Sequence, residues 1–192
     1  MVEIPAQDVV DWILVELRES PGDASTATQN RTISKRAGFL LKDGTIVDLD
    51  GVSPLEFSVP VYTNLYAVVW HRNHIGVMSS IALIANSGIY EYDFATAADK
   101  VYGGITGYKE IASGVFGMVG GDGNADGLVL ADDKEVVWGS DAGNSGYRQG
   151  DFDMNMQTDN QDKNQIWLPN LGTGVQVPES TVNKNFKCAV PD

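Results

Sequence analysis

Apolar residues in positions 1–118 come in short runs separated by turn residues, which is the pattern of β-strands. The segment 8–19, DVVDWILVELRE, is rich in branched and aromatic residues that partly alternate with polar ones. Because side chains of a strand alternate between its two faces, the segment divides into two sets. One set is Trp12, Leu14 and Glu16, and the other is Ile13, Val15 and Leu17.

The passage RAGFLLKDGTIVDLDG predicts a hairpin, since Asp43 and Gly44 separate two apolar runs and tolerate the positive φ of a tight turn. Further strand-like runs follow at short intervals, with no long helical periodicity between them: LEFSVPVY, LYAVVWHR, GVMSSIALI and GIYEYDF. The pattern therefore predicts an antiparallel β-sandwich over residues 1–118.

The composition changes near residue 119, where glycine and aspartate clusters begin. Two short helices are predicted in this second part, at ADDKEVVWG and NQDKNQIWL, and Pro169 is expected to end the second. The predicted organisation is a β-sandwich module (1–118), a small α-helical segment with two loops (119–170), and an extended C-terminal tail (171–192). The fold class is mainly β.

The net charge of the chain disfavours some classes of binding partner. The chain has 26 acidic and 13 basic residues among 192, for a net charge of −13. This balance disfavours nucleic acid and anionic membranes as partners. The first residues, MVEIPAQD, lack the basic start and apolar centre of a signal peptide. The longest apolar passage, 75–85, is shorter than the roughly 20 residues of a membrane span, so no membrane insertion is expected. The lone Cys188 forms no internal disulfide.

Two acidic loops, 29 residues apart (151 − 122), carry the clearest chemistry. Calcium takes six to eight oxygen ligands, which alternate residues of a coiled twelve-residue loop supply. In the first loop, Gly127 stands at the sixth position, where a sharp turn needs positive φ. Its predicted ligands are Asp122, Asn124, Asp126, the Leu128 carbonyl and Asp133. Val129 at the eighth position is expected to pair with its counterpart in the second loop.

The second loop matches the same spacing less closely. Met156 stands where glycine is expected, and holding it at positive φ costs on the order of 1 kcal/mol. The second site is therefore expected to be the weaker or more distorted one. Its predicted ligands are Asp151, Asp153, Asn155, the Gln157 carbonyl, Asp159 and Asp162.

The pair DGNADGLVLADD and DFDMNMQTDNQD, each followed by a short helix, resembles the duplicated calcium loops of dockerin domains. In that family the twelfth residue is commonly aspartate, as it is here. The flanking passages DWILVELRES, YAVVWHRNHIGVMS and IWLPNLGTGVQVP resemble a β-module with a dockerin-like ending found in secreted Bacteroidota surface proteins. The resemblance implies two Ca²⁺ ions and a location outside the cell or on its surface.

Other candidate sites are weaker. His71 and His74, three apart in a strand-like passage, are expected to point to opposite faces and to serve structural roles. No nucleophile elbow, zinc-protease motif or phosphate loop is present, so no enzyme is expected. The four tryptophans, Trp12, Trp70, Trp138 and Trp167, are expected in the core, with a sugar platform as the alternative.

The sequence thus favours a non-catalytic, extracellular calcium-binding structural or adhesion module that assembles with other protein subunits, its tail VQVPESTV adding to a neighbour's sheet edge. One alternative is a docking module that presents Lys134, Glu135, Lys163 and Asn164 to a cohesin-like receptor. The other is a carbohydrate-binding module that recognises surface glycans.

Overall fold

A computed structural model describes residues 8–174 and 176–178 of the chain. Its main element is a five-stranded antiparallel sheet with the order β3-β2-β1-β4-β5. The strands are β1 (Val9–Ser20), β2 (Thr32–Leu41), β3 (Ile46–Val47), β4 (Asn64–Trp70) and β5 (Val77–Met78). Cys188 and residues 1–7 of the N-terminal passage lie outside the described residues.

The central strand β1 confirms the alternation seen in the sequence. Ile13, Val15 and Leu17 are all buried in the main core, together with Leu65 and Val69 of β4. The opposite face of β1 carries Glu16 and Arg18, which are also fully buried. Both faces of the sheet are therefore covered. On this second face the core consists of Tyr66, Val68 and Met78 with Ala24, Ala27 and Val177.

The predicted hairpin between β2 and β3 is confirmed. Leu41 donates its backbone N–H to the Thr45 carbonyl at 2.8 Å, and Gly44 lies in the turn with a φ of 87°. That backbone conformation is open to glycine without the Cβ clash that other residues suffer.

The strand predicted at LEFSVPVY is wrong, because residues 55–62 form no strand. Pro60 falls inside this run and has no N–H to donate to a sheet. The runs around 76–94 contribute only short pairs, β5 and the hairpin of β6 (Ala85–Asn86) with β7 (Ile89–Tyr90). A second hairpin, β8 (Tyr108–Ala112) with β9 (Val115–Met118), packs against the main core through Tyr108 and Phe116.

Six short helical elements complete the described fold. Four are 3₁₀ turns: Ala24–Thr26, Gln29–Arg31, Ala98–Lys100 and Gly104–Thr106. The first helix covers residues 131–141 and the second covers 160–170, as predicted. Each has a widened π-type stretch, Asp133–Trp138 or Asp162–Trp167, followed by an α-helical turn, Gly139–Asp141 or Leu168–Asn170. The predicted stop at Pro169 is wrong, since in a last turn the missing N–H removes only one backbone bond.

The loop–helix part and the β part share a third core. It contains Ile75 and Val119 from the end of the β part, Val129 and Phe152 from the two loops, and Trp167 from the second helix. Beyond the second helix, Gln176 pairs with Val77 in parallel orientation, beside the edge of the sheet. The fold is mainly β, with a curled antiparallel sheet and two short helices.

Within the described ranges, the helices lack the length and apolarity that a membrane crossing requires.

Candidate metal centre

The two acidic loops have the same internal hydrogen bonds at residues 29 apart (151 − 122). The carboxylate at position one accepts the backbone N–H groups of positions five and six. In the first loop, Asp122 accepts from Asp126 at 3.1 Å and from Gly127 at 3.0 Å. In the second loop, Asp151 accepts from Asn155 at 3.0 Å and from Met156 at 3.1 Å.

The carboxylate at position twelve closes each loop from the helix side. It accepts the backbone N–H of position three with one oxygen and that of position nine with the other. Asp133 accepts from Asn124 at 3.1 Å and Leu130 at 2.7 Å, and Asp162 accepts from Asp153 at 3.0 Å and Asp159 at 2.8 Å. The two carboxylates of each loop are thereby brought to its centre by the chain's own backbone.

The side chains at positions three and five bend the chain between these carboxylates. Asn124 Oδ1 accepts from the Asp126 N–H at 2.9 Å, and Asp126 Oδ1 accepts from the Leu128 N–H at 2.9 Å. Short polar side chains make such local turns readily. The second loop repeats both bonds, from Asn155 to Asp153 at 3.1 Å and from Gln157 to Asn155 at 2.8 Å.

Left-handed backbone at position six is found in both loops. Gly127 has a φ of 87°, and Met156 has a φ of 70° although it carries a side chain, as the loop pattern predicts. Position four is left-handed as well, with Ala125 at 56° and Met154 at 61°. Neither alanine nor methionine is a turn residue, so the sequence pattern does not predict this second strained position.

The expected pairing between the eighth positions is wrong. Val129 donates to Thr173 at 2.9 Å and accepts from Gly172 at 2.8 Å, both after the second helix. Thr158 exchanges the equivalent bonds with Gly143 and Asn144 after the first helix, at 2.8 and 2.9 Å. Each loop is therefore closed by the segment that follows the other loop's helix.

Buried negative charge accumulates in both loops. Burial, with the nearby Asp133 carboxylate, raises the pKa of Asp122 to about 7. Burial also raises the pKa of Asp133, Asp151 and Asp162 above the ordinary aspartate value. Among the described residues, no basic side chain forms an ion pair with a carboxylate of the first loop. A buried carboxylate without a counter-charge is costly, so the first loop is suited to a cation.

Three predicted ligands of the second loop converge. Asp151, Asp153 and Asp162 each offer a carboxylate oxygen, and these atoms lie within 4.8 Å of one another. Asp159 does not join this cluster, because its carboxylate accepts the Gln161 N–H at the start of the second helix at 2.6 Å. The donors of both loops are carboxylate, amide and carbonyl oxygens, a set that fits a hard cation such as Ca²⁺.

The passage HRNH joins the sheet to both loops, which the sequence did not predict. Asn73 is fully buried, and its backbone carbonyl accepts the N–H groups of Gly121 and Asp122 at 3.0 and 3.2 Å. Its side-chain amide donates to the carbonyls of Gln149 and Asp151 at 3.0 and 2.7 Å. Asn73 thus fixes the first residue of each loop. The one indication in the sequence is that four polar residues, HRNH, follow an apolar strand.

The two histidines lie side by side rather than on opposite faces. Their ring centroids are 4.6 Å apart, because β4 ends at Trp70 and a bend follows. His74 Nδ1 lies 2.8 Å from Asn73 Oδ1, and His71 Nε2 lies 3.0 Å from Asp11 Oδ2. Both rings are engaged by neighbouring side chains.

Each tryptophan makes a contact inside the fold. Trp12 packs edge-on against Phe39 with ring centroids 4.4 Å apart, and Trp70 Nε1 donates to Glu16 at 2.8 Å. Trp138 and Trp167 donate to backbone carbonyls of the loops. Lys163 Nζ lies 4.7 Å from the ring centroid of Trp138, and Lys134 Nζ lies 5.4 Å from that of Trp167.

The chain matches no protein-family model, no curated protein and no solved structure. Its function therefore has to be inferred from the site itself.

Proposed function

We propose that this protein is a non-catalytic, extracellular structural module in which two calcium ions hold the dockerin-like segment 119–170 in its folded shape. The observation that carries the proposal is the duplicated set of backbone hydrogen bonds, which orients buried oxygen donors in both loops. The ligands would be the side chains or carbonyls of Asp122, Asn124, Asp126, Leu128 and Asp133, and of Asp151, Asp153, Asn155, Gln157 and Asp162.

The bound ion would supply positive charge to carboxylates that the fold buries. Loops of this type in extracellular modules bind calcium with dissociation constants of about 10⁻⁴–10⁻³ M. Calcium at such concentrations is found outside cells, which supports an extracellular or cell-surface location. The net charge of −13 also suits a protein that works beside abundant cations.

The sheet would serve as the rigid partner of the calcium segment. Asn73 and the shared core around Ile75 connect the two parts, so order in the loops is transmitted to the sheet. The β8–β9 hairpin packs against one face of the sheet, which supports a β-sandwich over residues 1–118. Gln176 pairs with Val77 of the edge strand β5, which supports a tail that would add to a sheet edge of a neighbouring subunit.

The proposed assembly is tested by native mass spectrometry of the chain in calcium and in chelator, counting ions and subunits together. Multimers that carry two ions per chain and separate in chelator are expected. A matched chain that lacks residues 179–192 should keep its ions and lose the multimers. Multimers that persist in that truncated chain would contradict assembly through the tail.

A docking module is the second candidate, favoured by exposed apolar side chains on both helices. Val136 is 67% exposed and Leu168 is 54% exposed. A cohesin-like receptor would cover this surface, with Glu135 and Asn164 at its border. For this candidate we expect a monomer that carries two ions and is retained by a receptor. The variant Val136→Asp should no longer be retained. Carbohydrate binding stays a prediction that a glycan array with calcium tests.

A further inference from the structure

Arg72 places a buried positive charge beside the second loop, whereas among the described residues no basic side chain forms an ion pair with a carboxylate of the first loop. Its guanidinium Nη2 lies 3.7 Å from Asp151 Oδ2, the carboxylate at position one. The Arg72 side chain is 5% exposed and that of Asp151 is completely buried. Because buried charges are screened far less than exposed ones, this pair interacts strongly.

Arg72 is held in this position from several sides. Its Nε donates to Asp11 Oδ2 at 3.0 Å, its Nη1 donates to the Arg148 carbonyl, and its guanidinium lies over the ring of Tyr147 at 4.3 Å. Tyr147 in turn donates its hydroxyl to Asp11 Oδ1 at 2.6 Å. Asp11 belongs to the central strand β1, so the sheet itself determines where the guanidinium lies.

We propose that Arg72 is a positioning residue for the second loop: it acts as a resident counter-cation that keeps Asp151 in its ligand position when no calcium is bound. This inference rests on the proposed function, since it assigns Arg72 part of the charge that the ion would supply. No such residue is found beside the first loop in the described part of the chain, so that loop would depend on calcium for the same order. The two loops therefore respond differently to the removal of calcium.

The duplicated hydrogen bonds provide matched reporters for a test. The amides of Asn155 and Met156 bond to Asp151, and those of Asp126 and Gly127 bond to Asp122 in the same geometry. Hydrogen exchange measured in chelator reads the opening of each loop separately. Arg72→Gln should lower the protection of Asn155 and Met156 by about tenfold or more, as the loss of one partner of a buried ion pair does. Protection of Asp126 and Gly127 should change less than about twofold.

Arg148→Gln is the matched control, because its side chain pairs with Asp141 at 3.3 Å and not with a loop ligand. It should leave both reporters unchanged. The double variant Asp11→Asn/Arg72→Gln removes both partners of a buried pair, so it keeps the test usable if Arg72→Gln alone unfolds. It should show the same selective loss in the second loop.

Measurement at saturating calcium distinguishes the loss of the Arg72 charge from a change in side-chain packing. With calcium bound, Arg72→Gln should regain the protection of Asn155 and Met156, because the ion replaces the missing charge. Equal losses in both loops, no loss in the second loop, or a loss that calcium does not restore would overturn the role of Arg72. If calcium alters neither loop of the unchanged chain, the proposed function fails, whereas the measurement in chelator still reports on Arg72.

Discussion

Trp138 in the first helix donates its indole N–H to the backbone carbonyl of Asp159 in the second loop, at 2.8 Å. The equivalent bond runs the other way between the two repeats: Trp167 in the second helix donates to the carbonyl of Leu130 in the first loop, also at 2.8 Å. Both carbonyls belong to position nine. Each helix therefore supports the loop of the other repeat, so the two loops depend on one another.

Exchange of Trp138 for phenylalanine should weaken calcium binding by the second loop. The aromatic ring stays, but the hydrogen bond to Asp159 is lost, at a cost of about 1 kcal/mol or roughly fivefold in affinity. The measurement is a calcium titration in a chain whose first loop is disabled by Asp133→Asn. In the same background Trp167→Phe should change the affinity much less, and an equal effect of both exchanges would contradict the crossed support.

Position six offers a second comparison between the loops. Gly127 has a φ of 87° and Met156 a φ of 70°, so only the first loop avoids the strain of a side chain there. Gly127→Ala should lower the free energy of unfolding of the calcium-loaded chain by about 1 kcal/mol. Met156→Ala should change it by less than about 0.5 kcal/mol, because the strain is already present and the side chain is half exposed. Urea unfolding in calcium measures both, and equal losses would contradict this account.

Asn73 should be among the most sensitive positions for stability. Asn73→Ala removes the amide donor of two carbonyls, the buried one of Asp151 and the partly buried one of Gln149. The expected loss is about 2–3 kcal/mol, measured by thermal or urea unfolding. Asn64 is the matched control, since its amide donates to the Gly22 carbonyl at 3.0 Å on the exposed surface. Asn64→Ala should cost less than about 0.5 kcal/mol, and similar losses at both positions would show that Asn73 is no special link.

Glu16 should make the sheet sensitive to acid. Burial raises the pKa of Glu16, but hydrogen bonds from Thr32, Arg18 and Trp70 outweigh burial and hold that pKa below its ordinary value of 4.5. A carboxyl with a lowered pKa in the folded state stabilises the protein above its ordinary pKa, and this contribution is lost as the pH falls towards the folded value.

The stability difference between the unchanged chain and Glu16→Gln should therefore be constant above about pH 5.5 and shrink below about pH 4.5. Urea unfolding in chelator across this range measures the difference without a contribution from calcium. Glu135→Gln, at an exposed position of the first helix, is the control and should show no such trend. A constant gap for Glu16→Gln down to about pH 3 would refute the assignment.

Local patterns predicted the elements whose causes are local. The alternation in β1, the Asp43-Gly44 turn, the two helices and the left-handed Met156 all depend on residues close together in sequence. The strand predicted at 55–62 failed because proline removes the N–H that a ladder needs. The predicted helix stop at Pro169 failed because a last turn tolerates that loss.

The parts of the site that were missed depend on distant contacts. The bond from Arg72 to Asp11 joins residues 61 positions apart, and that from Asn73 to the Asp151 carbonyl joins residues 78 apart. No periodicity or turn signal encodes such a pairing. Val129 bonds to the segment after the second helix rather than to Thr158, and the sequence did not predict this pairing for the same reason. The ligand spacing was readable because one twelve-residue loop contains it.

The central claim, that both loops bind calcium, is tested most directly by calorimetric titration of calcium into the chain after treatment with chelator. The unchanged chain should bind two ions, Asp133→Asn and Asp162→Asn should each bind one, and the double variant should bind none. These exchanges keep the size of the position-twelve side chain and remove its charge. The absence of binding to the unchanged chain, or two ions bound by the double variant, would contradict the account.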